Sequence, residues 1–266
     1  LLFNKHKVTK EYYVNDYGNQ IINFTKSVFL RIREIKYNEK FINEKDLYPG
    51  EYIIEIGKKI IDNNPSEDFN NFEDSQKLLK KESLKLSMDL IKKDLKKLGI
   101  EHDNFFSETD LVEKKLVDKA VNILKKNDYV HEGFLEAPKG EKDKNWKKIK
   151  RLIFKSTLFG DDTDRAMQKN DGTWTYFASD VAYHMDKVQR KYEYLINVLG
   201  ADHTGYIKRI TAAVSALSKD KVKLNCKVCQ LVKLFKNGKP FKMSKRAGDF
   251  ISAQDLLNEV DKDSIR

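Results

Sequence analysis

Apolar residues recur along this chain with two different periods, and the period predicts the element. Over "NQIINFTKSVFLRIREI" they fall at helical spacing, with Ile21, Ile22, Phe24, Val28, Phe29 and Ile32 as the stripe to be buried. Gly18 leads into this helix from "EYYVND", which reads as a short strand running into a loop. A second helix is predicted over "YPGEYIIEIGKKIIDN", opened by Pro49, whose missing N–H is no loss in a first helical turn. A third, over "SQKLLKKESLKLSMDLIKKDLKKLGI", sets Leu78, Leu79, Leu84, Leu86, Leu90 and Ile91 among lysines that form a solvated face.

The pattern then changes character. A helix is predicted near 111–126, followed by the polar, lysine-rich "APKGEKDKNWKKIKRLIFKSTLFGDDTDR", which reads as an inserted or connecting module of hairpins and loops. Beyond "KNDGTWTYF" the periodicity sharpens into a helix at "SDVAYHMDKVQRKY", a strand at "YLINVLGAD", a helix at "TGYIKRITAAVSAL" and a strand at "VCQLVKLF". Strand, helix and strand joined by short links imply a parallel sheet with crossover helices, hence an α/β fold. A helical segment, "ISAQDLLNEV", follows. There is no internal repeat and no low-complexity linker.

Composition narrows the function. With 266 residues, 40% of them hydrophobic, the chain can fill a sizeable core, and 15 Phe and 12 Tyr against 4 Pro exclude disorder. The excess of 51 Lys and Arg over 41 Asp and Glu, a formal +10, favours an anionic partner such as a nucleotide or nucleic acid. No stretch approaches the roughly 20 apolar residues of a membrane span, so no membrane partner is expected. Cys226 and Cys229, in "CKVC", are the only cysteines. A structural zinc site wants four ligands, so both are read as ordinary strand residues of a reduced, cytoplasmic protein, and no metal site is expected. The chain opens "LLFNKHKV" with no signal-peptide pattern and closes "EVDKDSIR", which reads as the start of a helix; both ends are expected to continue into further protein.

Four stretches carry candidate chemistry. In "LINVLGADHTGYIKRI" an apolar strand ends at Gly200, placing Asp202 and His203 at the carboxyl end of a parallel strand, where open α/β sheets bind ligands. Asp202 can accept from a ribose and His203 can contact a phosphate or carboxylate; equally, Gly-Ala-Asp can cap the next helix. In "TYFASDVAYHMDK", Tyr176, Asp180 and His184 recur every four residues, beside an apolar stripe of Val181, Met185, Val188 and Tyr192. A phenol and a carboxylate beside a buried seam suit a cationic ligand, whereas the plainer alternative has Asp180 capping the helix and Tyr176 in the core. Glu108, after Phe105, Phe106 and Ser107, is a second acid, and two carboxylates suit the planar fork of a guanidinium. Ser107 and Asp110 can also form a capping box there, and the two readings coexist.

The fourth stretch is "GKPFKMSKRAGDF". Gly238 and Gly248 loosen its backbone, and Lys242, Lys245 and Arg246, with the Ser244 hydroxyl, suit the charge that develops on a leaving pyrophosphate. A lysine-rich turn is the alternative, against which stands its place after the last strand and before a helix.

Taken together these residues resemble a known family. "KMSKRAGDF" resembles the Lys-Met-Ser-Lys loop of class I aminoacyl-tRNA synthetases, and "GADHTGYIKRITAAVSAL", "NDGTWTYFASDVAYHMDK", "FGDDTDR" and "EYYVNDYGNQI", in that family's order, are similar to bacterial arginyl-tRNA synthetases. The resemblance implies a Rossmann-like parallel sheet with flanking helices, divided as 1–108 for part of its first half, 109–174 for an inserted connective module, 175–250 for the second half, and 251–266 leading toward an anticodon-reading domain. It implies a two-step reaction, in which arginine attacks the α-phosphate of ATP, supplied with Mg2+, and the arginyl group then passes to tRNA(Arg), often needed even for the first step. It implies that Lys242, Ser244 and Lys245 steady the phosphates and that Gly200, Asp202, His203 and Met243 belong to the ATP site. Tyr176, Asp180 and His203, with Glu108 on a looser match, would hold the arginine. Two acids in a desolvated pocket would reject a neutral amino acid, and lysine would satisfy the charge without the fork.

The His-Ile-Gly-His type element that grips ATP opposite the mobile loop does not occur in this chain and is expected upstream of residue 1. The chain by itself is therefore expected to be inactive, and the full-length protein to be a monomer. Another class I synthetase, or a non-catalytic RNA-binding paralogue with steeply salt-dependent tRNA affinity, are the competing readings.

Overall fold

The computed structural model describes residues 1–135, 149–236, 238–241 and 251–265. By its contacts the chain divides into two units, Leu1–Glu108 with Lys233–Arg266, and Thr109–Val232. Both are mixed α/β, with helices packed on apolar stripes and strands paired in twos and threes.

In the first unit, β1 (Glu11–Val14) is followed by α1 (Asn19–Tyr37), α2 (Glu51–Asn63) and α3 (Phe72–Lys97), and then by β2 (Asn104–Ser107). β1 and β2 run parallel, in register from Glu11 opposite Asn104 to Val14 opposite Ser107. The ladder is pinned at its start by the Lys10 amide, which donates to Asp103 Oδ2 at 2.7 Å. α1 can begin where it does because Gly18 sits at φ 90°, a conformation that L side chains resist. Its stripe meets the other two helices in a core of Phe24, Val28 and Ile32 with Ile53, Ile56, Ile60, Phe69 and Leu79.

Three expectations need adjusting in this unit. Ile22 lies off the stripe and is 45% exposed, because a helix turns about 100° between it and Ile21. Gly50, not Pro49, is the N-cap of α2; Pro49 lies just outside, its carbonyl accepting from Arg31 Nη2 at 3.0 Å. α3 starts earlier than its apolar pattern, because Asn71 accepts the Asp74 amide at 2.9 Å and closes the first turn. Of its predicted apolar residues only Leu79 is fully buried, the other five being half-buried.

In the second unit the predicted helix near 111–126 is two, α4 (Glu108–Glu113), which starts at the boundary, and α5 (Leu116–Lys126), parted where Lys115 adopts φ 50°. β3 (Val130–Gly133), β4 (Arg151–Phe154) and the short β5 (Arg165–Ala166) form an antiparallel sheet, the hairpins expected of this stretch; residues 136–148 of it lie outside the described residues. Then come α6 (Tyr176–Gln189), β6 (Tyr194–Gly200), a 3-10 turn (Ala201–Tyr206), α7 (Ile207–Ser218) and β7 (Lys223–Cys229). β6 and β7 pair in parallel from Tyr194 opposite Lys223 to Gly200 opposite Cys229, which is the expected crossover.

The strand predicted at "VCQLVKLF" is shifted. β7 ends at Cys229, level with the end of β6, because a strand lasts only as long as its partner. The residues beyond it turn into a hairpin of β8 (Leu234–Lys236) and β9 (Lys239–Phe241), in the first unit, followed by α8 (Ala253–Glu259) and α9 (Lys262–Ile265). Ser252 and Asp255 form the capping box that starts α8. Cys226 is half-buried and Cys229 exposed, and neither is in a disulfide. Among the described residues no helix is long and apolar enough to cross a membrane, and no three His, Cys, Asp or Glu gather as a metal site would require.

Candidate active site

The start of α6 places the first candidates. Thr175 caps the helix, its hydroxyl accepting from the Ala178 amide at 3.2 Å while reaching back to the Ala166 carbonyl at 3.1 Å. Tyr176 is therefore the first helical residue, with Asp180 and His184 one and two turns further on the same line. That line descends into the protein: Tyr176 is 81% exposed, Asp180 half-buried and His184 buried. The plainer alternative, with Asp180 as cap and Tyr176 in the core, is thereby set aside.

His184 is a strut. Its Nδ1 lies 2.8 Å from the Asp180 carbonyl, which only accepts, so Nδ1 carries the hydrogen. Its Nε2 lies 2.9 Å from Asn197 Nδ2 and accepts from it, which keeps the ring neutral and ties α6 to β6. Lys187 in turn donates to Asn197 Oδ1 at 3.3 Å.

The carboxylate of Asp180 faces the other way, toward the turn after β6. The Tyr206 hydroxyl donates to its Oδ2 at 2.6 Å. Burial pushes the Asp180 carboxyl above its ordinary range, and the Tyr206 hydroxyl, with the neighbouring His203 and Lys187, pulls it back only in part. Burial, and then the Asp180 charge, push the Tyr206 phenol far up, so it stays a donor at every working pH. The structure thus brings Asp180 together with the strand-end turn through a residue the sequence reading left unassigned. A half-buried phenol needs a polar partner, but that burial is set by the fold and leaves no local signal in the sequence.

At the strand end itself, Asp202 and His203 are exposed, His203 Nε2 lying 3.6 Å from Asp202 Oδ2, which is too long for a hydrogen bond. Asp202 does not cap a helix; Gly200 holds the N-cap position of the turn. A Cβ on Gly200 would come within 2.5 Å of Asp202 Oδ1, so the missing side chain is what lets that carboxylate fold back over the strand end.

"FGDDTDR" supplies a brace beside this turn. Asp161, buried, accepts from Arg165 Nε at 2.6 Å and Nη2 at 2.7 Å, and also from the Ser156 hydroxyl at 3.0 Å. Burial raises its pKa, but the Arg165 guanidinium, the Asp162 amide and Ser156 together hold it below the usual carboxylate range. Asp162 pairs with Lys208 of α7 at 2.7 Å.

Glu108 belongs to the first unit, where it opens α4, half-buried. The Ser107 hydroxyl before it donates to Asp16 Oδ2 at 2.5 Å, and Asp110 pairs with Lys114 at 2.9 Å. Lys242, Met243, Ser244 and Lys245, with Arg246 and Gly248, lie outside the described residues.

No family model matches the chain. Individual proteins do. It is 61% identical over 267 residues to the arginine–tRNA ligase of Pelagibacter ubique (strain HTCC1062), covering 100% of this chain and 46% of that protein. It is 46% identical over 261 residues to the arginine–tRNA ligase of Wolbachia pipientis wMel, covering 98% of this chain and 45% of that one. Along its whole length the chain is similar to one part of arginyl-tRNA synthetases. It spans about half the length of the curated relatives it matches.

Solved structures agree. A Campylobacter jejuni protein described as an arginyl-tRNA synthetase superposes with a TM-score of 0.79 at 32% identity, over 98% of this chain and 53% of that one. The Thermus thermophilus arginyl-tRNA synthetase, at 15% identity and a TM-score of 0.55, shares the fold over 95% of this chain and 45% of its own. The chain has in Asp180 an acid that is half-buried, oriented by a neutral donor and placed beside a parallel strand end, an arrangement able to receive a cation.

Proposed function

We propose that the protein is an arginine–tRNA ligase and that this chain carries part of its catalytic domain. The observation that carries the reading is the match of 61% along the whole chain to a protein of that name. In this reading residues 1–108 and 175–250 supply the two halves of the nucleotide-binding domain, 109–174 an insertion between them, and 251–266 the approach to an anticodon-reading domain. The substrates are L-arginine, ATP with Mg2+, and tRNA(Arg).

Chemistry follows from the groups present. The guanidinium is received by Asp180, with Tyr176 at the open end of the same helical line and Glu108 as the second acid. A carboxylate pairs with that planar cation through two parallel hydrogen bonds, which a lysine ammonium cannot reproduce. Asp202 and His203 at the strand end serve the ribose and the amino-acid carboxylate. An oxygen of that carboxylate attacks the α-phosphorus of ATP, the bond from α-phosphorus to the bridging oxygen breaks, and pyrophosphate leaves with the electron pair. Lys242 and Lys245 offset the charge on it, and Ser244 donates a hydrogen bond. The 2′-hydroxyl of the terminal adenosine of tRNA then attacks the arginyl carbonyl, and AMP departs.

The test is arginine-dependent exchange of pyrophosphate into ATP, with tRNA present, in the full-length enzyme carrying Asp180→Asn. The KM for arginine is expected to rise roughly 30-fold or more, as when one partner of a desolvated charge pair is removed. An unchanged KM would remove Asp180 from the pocket.

A further inference from the structure

We propose that Tyr206 is the positioning residue of the arginine pocket: its hydroxyl sets the Asp180 carboxylate for the guanidinium and ties that carboxylate to the turn bearing Asp202 and His203. The inference rests on the reading of Asp180 as the guanidinium acceptor.

Asp180 is held at two points. Its carbonyl accepts from His184 Nδ1 at 2.8 Å, fixing the backbone against β6 through Asn197. Its side chain would still turn about two bonds, and the 2.6 Å bond from Tyr206 to Oδ2 removes that freedom. An ionised carboxylate offers about four lone-pair sites, so one phenol leaves room for a bidentate guanidinium. A neutral donor suits this task where a cation would not. Lysine or arginine in its place would orient the carboxylate but would cancel the charge that the ligand is meant to meet.

Tyr206 is itself restrained. The Phe177 ring meets it edge-on at 6.2 Å, and the Arg209 guanidinium lies 4.9 Å from its ring centroid. It is also the last residue of the turn Ala201–Tyr206, and α7 begins at the next position. One O–H···O bond therefore connects the acid assigned to the arginine side chain with the turn assigned to the ribose and the arginine carboxylate, across 26 positions of sequence.

A second signature follows from ionisation. The groups acting on Asp180 are Tyr206 and His203 from the turn and Lys187 from α6, while Arg209 and Arg165 act on Tyr206. Burial favours the protonated acid, and the phenol favours the ionised one. Without the hydroxyl, Asp180 takes up its proton at a higher pH. The rise in arginine KM on acidification is then expected to begin at a higher pH in Tyr206→Phe than in the wild type, with His203 and Lys187 common to both.

The experiment uses the full-length enzyme as wild type, Tyr206→Phe, Asp180→Asn and the double variant, in pyrophosphate exchange with tRNA from pH 5.5 to about 8. Tyr206→Phe is expected to raise the arginine KM roughly tenfold, as for loss of a hydrogen bond to a charged group, with kcat at saturating arginine within about twofold. The double variant is expected to match Asp180→Asn alone, because the phenol acts only through that carboxylate. Multiplicative effects in the double variant, or an arginine KM and pH profile like the wild type's, would overturn the proposal. If Asp180→Asn itself left the arginine KM unchanged, the pocket assignment would fall, and Tyr206 with it. A large effect of Asp180→Asn beside a silent Tyr206→Phe would sink the inference about Tyr206 alone.

Discussion

The bundle of α1, α2 and α3 and the seam between α6 and β6 bury their residues by different means. In the bundle, Val28, Ile32, Ile53, Ile60 and Leu79 are wholly buried, and the two buried hydroxyls of α1, on Thr25 and Ser27, donate to carbonyls of their own helix. In the seam, Val181, Ala182 and Met185 share the interior with His184, whose two ring nitrogens have separate partners, and lie next to an acid that burial disfavours. Apolar contacts are indifferent to which neighbour supplies them, so the bundle specifies a shape. Directional bonds specify an orientation, so the seam can aim the charge of Asp180.

The largest expected effect lies in the bundle. Ile53→Ala should cost about 2–5 kcal/mol in urea denaturation, as for other emptied core positions, while leaving the arginine KM of the folded enzyme unchanged. A shift in KM without loss of stability would blur the distinction between the two regions. Next comes Asp161→Asn beside the seam, which leaves the half-buried Arg165 without its partner and should cost about 2–3 kcal/mol near neutral pH, below the usual figure for a wholly buried pair. Because the folded protein holds this carboxyl low, the stabilisation is full above the unfolded value of about 4 and is lost as pH falls through the folded one. The gap between wild type and variant in urea midpoint should therefore close on acidification; a constant gap would mean that the pair is not ionic. The smallest change in stability is expected for Tyr176→Ala, within about 0.5 kcal/mol because the ring is exposed. Any effect of that variant belongs in the arginine KM, and substantial unfolding would return Tyr176 to the core.

How far the sequence could be read divides along the same line. The stripes of α1 and α2 and the β6, α7, β7 crossover were legible because burial of apolar residues imposes a period. Ile22 was misplaced because adjacent apolar residues cannot both sit at the centre of one stripe. The break at Lys115 has no local signal, since residue type does not mark a lysine for the left-handed conformation as it would a glycine. The end of β7 depended on the length of a different strand. In the site, Asp180 could be picked out by its place on a helical line, whereas Tyr206 could not, because their bond joins residues that no local period relates.

Register has a consequence for how the chain is made. Tyr194 and its partner Lys223 are about 30 positions apart, while Glu11 and its partner Asn104 are separated by 93. At roughly 5–20 residues per second on a ribosome, β6 waits a few seconds for β7, and β1 waits about 5–20 seconds for β2. During that interval Tyr12, Tyr13 and Val14 have emerged ahead of β2, the strand they pair with. Folding of α1, α2 and α3 in the meantime shortens the chain still to be closed, since helices packed through near neighbours form before distant strands meet. The bundle thus also acts during synthesis as the clasp that brings the second strand back to the first.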